Sequence, residues 1–140
     1  MEAPRWEHYE HEADIGVRGV GPTLDAAFEQ VALALTAVVT DPARVEEREA
    51  VDLSCTEENP DLLLADWLNE VVYAMATRHM LFHRFSVQID GEHLMATAWG
   101  EAVDVDRHRP AVEVKGATYT DLAVHHGPGG EWIAQCVVDV

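Results

Sequence analysis

The chain has 140 residues, 48% of them hydrophobic, which fits one folded domain over 1–140 and excludes a globally disordered polymer. Nine basic residues stand against 26 acidic ones, a formal net charge of −17. That balance argues against a basic nucleic-acid groove and against strong direct binding to RNA or an anionic membrane; it favours basic protein partners and divalent cations, beyond the solubility it confers.

Taken in chain order, Trp6 to His11 reads as a first strand and Ile15 to Val20 as a second, broken by "GVGPT". Thr23 is placed to cap a helix whose first turn carries Asp25. Leu24, Phe28, Val31, Leu35 and Val38 recur at helical spacing, and Asp41-Pro42 ends the run. Val45, Val51 and Leu53 lie in a charged stretch that suits an edge or half-buried strand. A second helix follows, with Asn59 as cap and Pro60 at its first position. Leu63, Trp67, Val71 and Ala74, widened by Leu64, Leu68, Val72 and Met75, give it a broad apolar face for packing flat on a sheet.

The remainder is β-rich. Asp90-Gly91 is expected to turn a hairpin between "MLFHRFSVQID" and "EHLMATAWGEAV", and "HHGPGG" to join "AVEVKGATYTDLAV" to "EWIAQCVVDV". The order predicts an α+β fold, a two-layer sandwich of two helices on a mostly antiparallel sheet. Cys55 and Cys136 form no CxxC and are expected as free thiols in a reducing cytosol. The start lacks the pattern of a signal peptide, and no apolar run approaches the roughly 18 residues of a membrane span. A soluble, cytoplasmic protein is the expectation.

Four chemistries bear on these elements. His8 and His11 are three apart, so in a strand they face opposite sides, and a shared zinc would need a bulge. No GxSxG elbow surrounds Ser54 or Ser86, and Cys136 reads as a structural thiol. "GVGPTLDAAF" lacks the third glycine and the lysine of a phosphate cradle, so it reads as a plain turn into a helix. Carboxylates remain: Asp14 at a strand end, and Asp139 followed by Val140, whose α-carboxylate adds another anion. Oxygen donors of this kind suit hard cations if the first and last strands meet; a solvated chain end is the default reading of spacing alone. Lys115, the sole lysine, points to solvent by default or offsets these carboxylates.

Together "HEADIGVRGVGPTLDAAFEQVALALTAVVTD", "DLLLADWLNEVVYAM" and "VKGATYTDLAV…EWIAQCVVDV" resemble the archease family over nearly the whole chain. The resemblance implies a small α+β protein that is no enzyme itself but activates an RtcB-type RNA ligase in tRNA splicing and RNA repair. The ligase loads guanylate from GTP onto its own histidine; the archease promotes that step and allows multiple turnover. Carried over by motif, Asp14 and Asp139 become metal-binding aspartates, and Val140 supplies a further oxygen. Lys115 becomes a residue linked to activation. Ca²⁺ is the first candidate cation, with Mg²⁺ or Mn²⁺ as alternatives, and His11 and Glu12 stand around the site. Two positions depart from the family pattern: Glu12 replaces the threonine of "HTAD", and Thr120 stands where "TYH" carries histidine. The competing reading is a general chaperone or adaptor for RNA-modifying enzymes such as a tRNA methyltransferase. A carboxylate-based hydrolase is a third class, without an identifiable nucleophile.

Overall fold

The computed structural model describes residues 3–140. Strands β1 (Arg5–His11) and β2 (Asp14–Gly21) form a hairpin, followed by helix α1 (Leu24–Val39) and a 3-10 turn at Pro42–Arg44. Strand β3 (Glu49–Thr56), helix α2 (Pro60–Arg78), β4 (Met80–Asp90) and β5 (His93–Ala102) come next. A one-turn helix α3 (Val105–His108), β6 (Gly116–Ala117), β7 (Ala123–His126) and β8 (Trp132–Asp139) complete the order.

Every strand pairing is antiparallel, as expected, but the strands divide into two sheets rather than one. One runs β1-β2-β8-β6, with β7 also on β8; the other runs β3-β5-β4. Alternation along a strand reports which face is buried and nothing about which strand lies alongside, so the division was not legible in the pattern. A single apolar cluster joins both sheets to both long helices, with Phe28, Leu35, Trp67, Leu68, Phe82 and Val17 fully buried. Phe85 sets its ring edge-on to Trp67, and the Trp67 indole N–H donates to the Phe28 carbonyl at 3.0 Å. The large polar-tipped ring is thus buried with its one donor satisfied.

Both helix starts follow the residues named for them. Thr23 Oγ1 accepts from Ala26 N, and Asn59 Oδ1 accepts from Asp61 N and Leu62 N. Helix side chains also finish the sheets. Glu29 and Asp25 of α1 accept from Val87 N and Ile89 N on the outer edge of β4, at 2.8 and 3.1 Å. Asp61 and Asn69 of α2 accept from Val124 N and Ala117 N on β7 and β6, at 2.8 and 2.9 Å. Backbone donors that another strand would have taken are satisfied by side chains, which closes these edges against further pairing.

Two local expectations shift. The β4–β5 turn is Gly91-Glu92, because Asp90 already pairs with His93; Gly91 takes the positive φ of 62° that the first turn position needs. The long strand expected through Lys115 is reduced to Gly116–Ala117 and Ala123–His126, with a turn at 119–122 between them. No helix among the described residues is long and apolar enough to cross a membrane.

Candidate cation and partner site

The site is assembled by register. In the β1–β2 hairpin His11 pairs with Asp14, leaving Glu12 and Ala13 as the turn. The last pair between β2 and β8 is Ile15 with Val138, so the next step along the ladder sets Asp14 beside Asp139. Across β8, Asp139 pairs with Gly116, and the backbone N–H of Lys115 donates to the Asp139 carbonyl at 2.8 Å. His11, Asp14, Asp139 and Gly116 therefore form one row across four strands. Side chains in such a row share a face, with Cβ atoms of neighbours about 5 Å apart. The adjacent residue Val138 is fully buried and Ile15 packs against the core, so the row faces away from it. Asp139 is exposed and Asp14 half-buried.

The other named residues are placed differently. Glu12 is exposed in the turn at φ 52°, a left-handed conformation that non-glycine residues adopt at some cost. Val140 is half-buried, its side chain packed on the core. Lys115 precedes β6 rather than sitting within a strand; its side chain is exposed and makes no ion pair among the described residues. The two histidines of HxxH do face opposite sides: the His8 ring lies 2.7 Å from the Ala34 carbonyl of α1, whereas His11 stands in the outer row.

Two carboxylates from neighbouring strands, with backbone oxygens beside them, fit a hard cation that keeps water in the rest of its coordination shell. They do not form a complete protein cage. Among the described residues no group of three or more His, Cys, Asp or Glu side chains is gathered closely enough to hold an ion alone. Asp14 and Asp139 are the carboxylates that the row brings together.

Below that row the outer face is built around Tyr9. Its ring lies flat on Gly16, where an added Cβ would stand 2.2 Å from the Tyr9 Cζ. The Arg18 guanidinium covers the ring at 4.6 Å and donates to Glu7 and Gln135. Burial and then the Asp121 carboxylate push the phenol up to about 12, so it stays protonated. Its buried hydroxyl makes no hydrogen bond of good geometry, although Asp121 is near enough to hold its proton on. Asp121 follows Thr120 in the turn after β6 and has φ 54°. The sequence reading passed over Tyr9 and Asp121; a tyrosine seven residues before a strand glycine becomes informative only once the hairpin register is known.

A second cluster was also missed. Glu101, 3% exposed at the end of β5, accepts from Glu46 N at 2.6 Å, contacts the Arg107 guanidinium and lies 3.0 Å from His108 Nε2. Asp104 N–H donates to His108 Nδ1 at 2.8 Å, which leaves the ring proton on Nε2, facing Glu101. Burial works against the ionised acid, but the Glu46 N–H, His108 and Arg107 outweigh it and hold Glu101 down at about 2. This cluster anchors the strap that runs from β5 to Lys115. Both cysteines are free; burial pushes each thiol up to about 12, which makes neither a nucleophile at neutral pH.

Residues 6–140 match the model of the Archease protein family (MTH1598/TM1083). Among curated relatives, the protein archease of Thermococcus gammatolerans is 44% identical over 140 residues, 97% of this chain and 99% of that one. That of Pyrococcus furiosus is 41% identical with the same coverage. Among solved structures, the solution structure of Methanobacterium thermoautotrophicum protein 1598 superposes with a TM-score of 0.84 at 33% identity, over 96% of this chain and 98% of that one.

Proposed function

The chain belongs to the archease family, and from that membership and the geometry above we propose that it is a non-catalytic activator of an RtcB-type RNA ligase, promoting the ligase's guanylylation and its multiple turnover in tRNA splicing and RNA repair. The observation that supports this reading best is the single row that places Asp14 beside Asp139 with the Lys115 backbone bonded to it. Residues from the two ends of the chain and from the 115 loop meet there, which is what the family's motif positions require of a common site.

On this reading Asp14 and Asp139 hold a divalent cation, Ca²⁺ first and Mg²⁺ or Mn²⁺ as alternatives, with a Val140 backbone oxygen completing the protein's share. The cation supplies positive charge where the acidic tip meets the ligase cleft. Lys115 contributes the chain's sole lysine ammonium, and its side chain, which makes no ion pair among the described residues, is available to the ligase or its nucleotide. His11 shares the row and borders the acids; Glu12 adds charge at the turn. The covalent chemistry remains with the ligase.

Multiple-turnover RNA ligation by the cognate ligase tests the reading. Added protein should raise the number of products per ligase well above one, and Asp14→Ala or Asp139→Ala should remove that gain. Full activation by either variant overturns the site assignment.

One observation favours the adaptor reading as the second choice. An apolar groove of about 530 Å³ lies between the end of α2 and the 110–114 strap, lined by Val72, Met75, Met80, Val103 and Val112. A client's apolar segment would fit it. Suppressed aggregation of a tRNA methyltransferase, with no effect on ligation, would favour that reading over the first.

A further inference from the structure

We propose that Tyr119 is the anchor by which this protein docks onto its ligase, inserting into an apolar slot on a basic face of that enzyme; the proposal rests on the activator reading above and names the contact through which it acts. Among the described residues Tyr119 is the most exposed of the large hydrophobic side chains, at 76%. The side chain takes no part in the core cluster, which leaves the whole ring available to an interface.

Its backbone, in contrast, is firmly held. On one side Thr118 N and Thr118 Oγ1 both donate to the Val137 carbonyl, at 3.0 and 2.8 Å. On the other, Val137 N donates to the Thr120 carbonyl at 3.1 Å, and Thr120 N to Thr118 Oγ1 at 3.1 Å. Leu122 N closes the turn onto the Tyr119 carbonyl. The residues on both sides of Tyr119 are thus tied to the same residue of β8, and the ring is presented on a fixed base. A rigid aromatic of this kind loses little conformational entropy on binding, which is why tyrosine is enriched among the few residues that dominate interfaces.

The ring's surroundings specify the partner. Gly116, which pairs with Asp139, is three residues away, at most about 11 Å along the chain. Asp121 is two residues on and exposed. An aromatic anchor two residues from Asp121 and three from Gly116, the partner of Asp139, on a chain of net charge −17, complements a face rich in arginine and lysine. A nucleobase is disfavoured as the partner of this ring, because Asp121 and the chain's net charge of −17 repel a phosphate backbone.

Calorimetric titration of the cognate ligase at low and at physiological salt tests this. Tyr119→Ala should weaken binding at least about tenfold at both salt concentrations, because the lost contact is apolar. Tyr119→Phe should bind within about twofold of wild type, since the ring body is retained. Wild-type affinity should fall as salt rises, reflecting the charge complementarity. The melting temperature of Tyr119→Ala should match wild type, as the side chain is exposed. If wild type binds and Tyr119→Ala binds equally well, this inference is overturned while the activator reading stands. If wild type does not bind the ligase, both fall. If single-stranded RNA binds wild type and is lost in Tyr119→Ala, the ring is a base-stacking platform and the inference is overturned.

Discussion

Asp14 and Asp139 stand side by side one step beyond the Ile15–Val138 pair, where β2 and β8 end together. Both project from the face of the sheet opposite the core, and no ion pair to either is formed among the described residues. Like charges directly across a strand pair are destabilising, by about 0.5 kcal/mol at an exposed site. That unrelieved repulsion makes a distinct prediction. Asp14→Asn should melt at the same temperature as wild type or slightly above it when chelator is present. Added Ca²⁺ should raise the melting temperature of wild type and leave Asp14→Asn and Asp139→Asn unmoved; at a concentration a hundredfold above Kd the stabilisation is about 2.7 kcal/mol. An equal rise in wild type and both variants would remove the cation from this site.

Gly16 and Tyr9 form a separable pair. A Cβ at Gly16 would overlap the Tyr9 ring atoms at 2.2 to 2.3 Å, so Gly16→Ala must displace the ring and the Arg18 stacked on it. Overpacking of this kind costs about 1–3 kcal/mol. In a Tyr9→Ala background the obstruction is gone, and Gly16→Ala should then cost under about 1 kcal/mol. A double-mutant cycle by urea denaturation reads the difference as a coupling energy. Gly19 provides the contrast, since its Cβ would meet backbone of α1, the Ala27 carbonyl at 2.2 Å. No side-chain removal relieves that, and Gly19→Ala should stay destabilising in any background. Simple additivity at Gly16 and Tyr9 would show that the ring moves aside freely.

Glu29 carries a different strain. Its carboxylate accepts from Val87 N on the edge of β4, yet burial, and after it the neighbouring Asp25, raises its carboxyl above the ordinary value. A raised acid works against folding once ionised: its share of stability is full below its unfolded value and is lost as pH rises through the raised folded value. Glu29→Gln keeps an oxygen to accept from Val87 and removes the charge. It should therefore be more stable than wild type at pH 7, with the advantage vanishing near pH 4. Thermal melts across that range give the answer, and a destabilised Glu29→Gln at neutral pH would mean that the charged acceptor outweighs its desolvation.

These residues also show where the sequence speaks and where it is silent. Thr23, Asn59, Pro60 and the apolar stripes of both long helices are local signals, and the structure uses each as expected. The Asp14–Asp139 row is legible through motif resemblance, because register between the first and last strands is not a local property. Asp25 reads as a first-turn acid suited to the helix dipole, and Glu29 carries no signal of its own. Their work on β4 depends on a strand more than fifty residues later arriving alongside α1 with its N–H groups unpaired. The second sheet was hidden for the same reason. Lys115 was expected inside a strand because "AVEVKGATYTDLAV" reads as one arm of a hairpin; the structure interrupts that arm with the turn at 119–122, where Thr118 and Thr120 both bond to Val137. Glu101 gave no warning at all, since a lone acid in "WGEAVDVDRH" reads as solvated until His108 folds back on it.

Glu101 yields the clearest pH dependence. Its depressed carboxyl, at about 2, means that the folded state prefers the ionised acid. The sign follows: the stability it contributes is fully present above the unfolded glutamate value of about 4.3 and is lost as pH falls from there through about 2. Wild type should lose stability steeply in that acid window, and Glu101→Gln should show a flatter profile from a lower starting point. Glu101→Ala should cost on the order of 3 kcal/mol at pH 7, because Arg107, the His108 Nε2–H and the Glu46 N–H are all left without their shared acceptor. The strap from β5 to Lys115 should loosen with it, read as faster amide exchange at Asp104 and His108, whose N–H groups bond to His108 Nδ1 and the Asp104 carbonyl. Exchange there as slow as in wild type would show that Thr40, which donates to the His108 carbonyl at 2.6 Å, and the Ala111–Val39 bond hold the strap without Glu101.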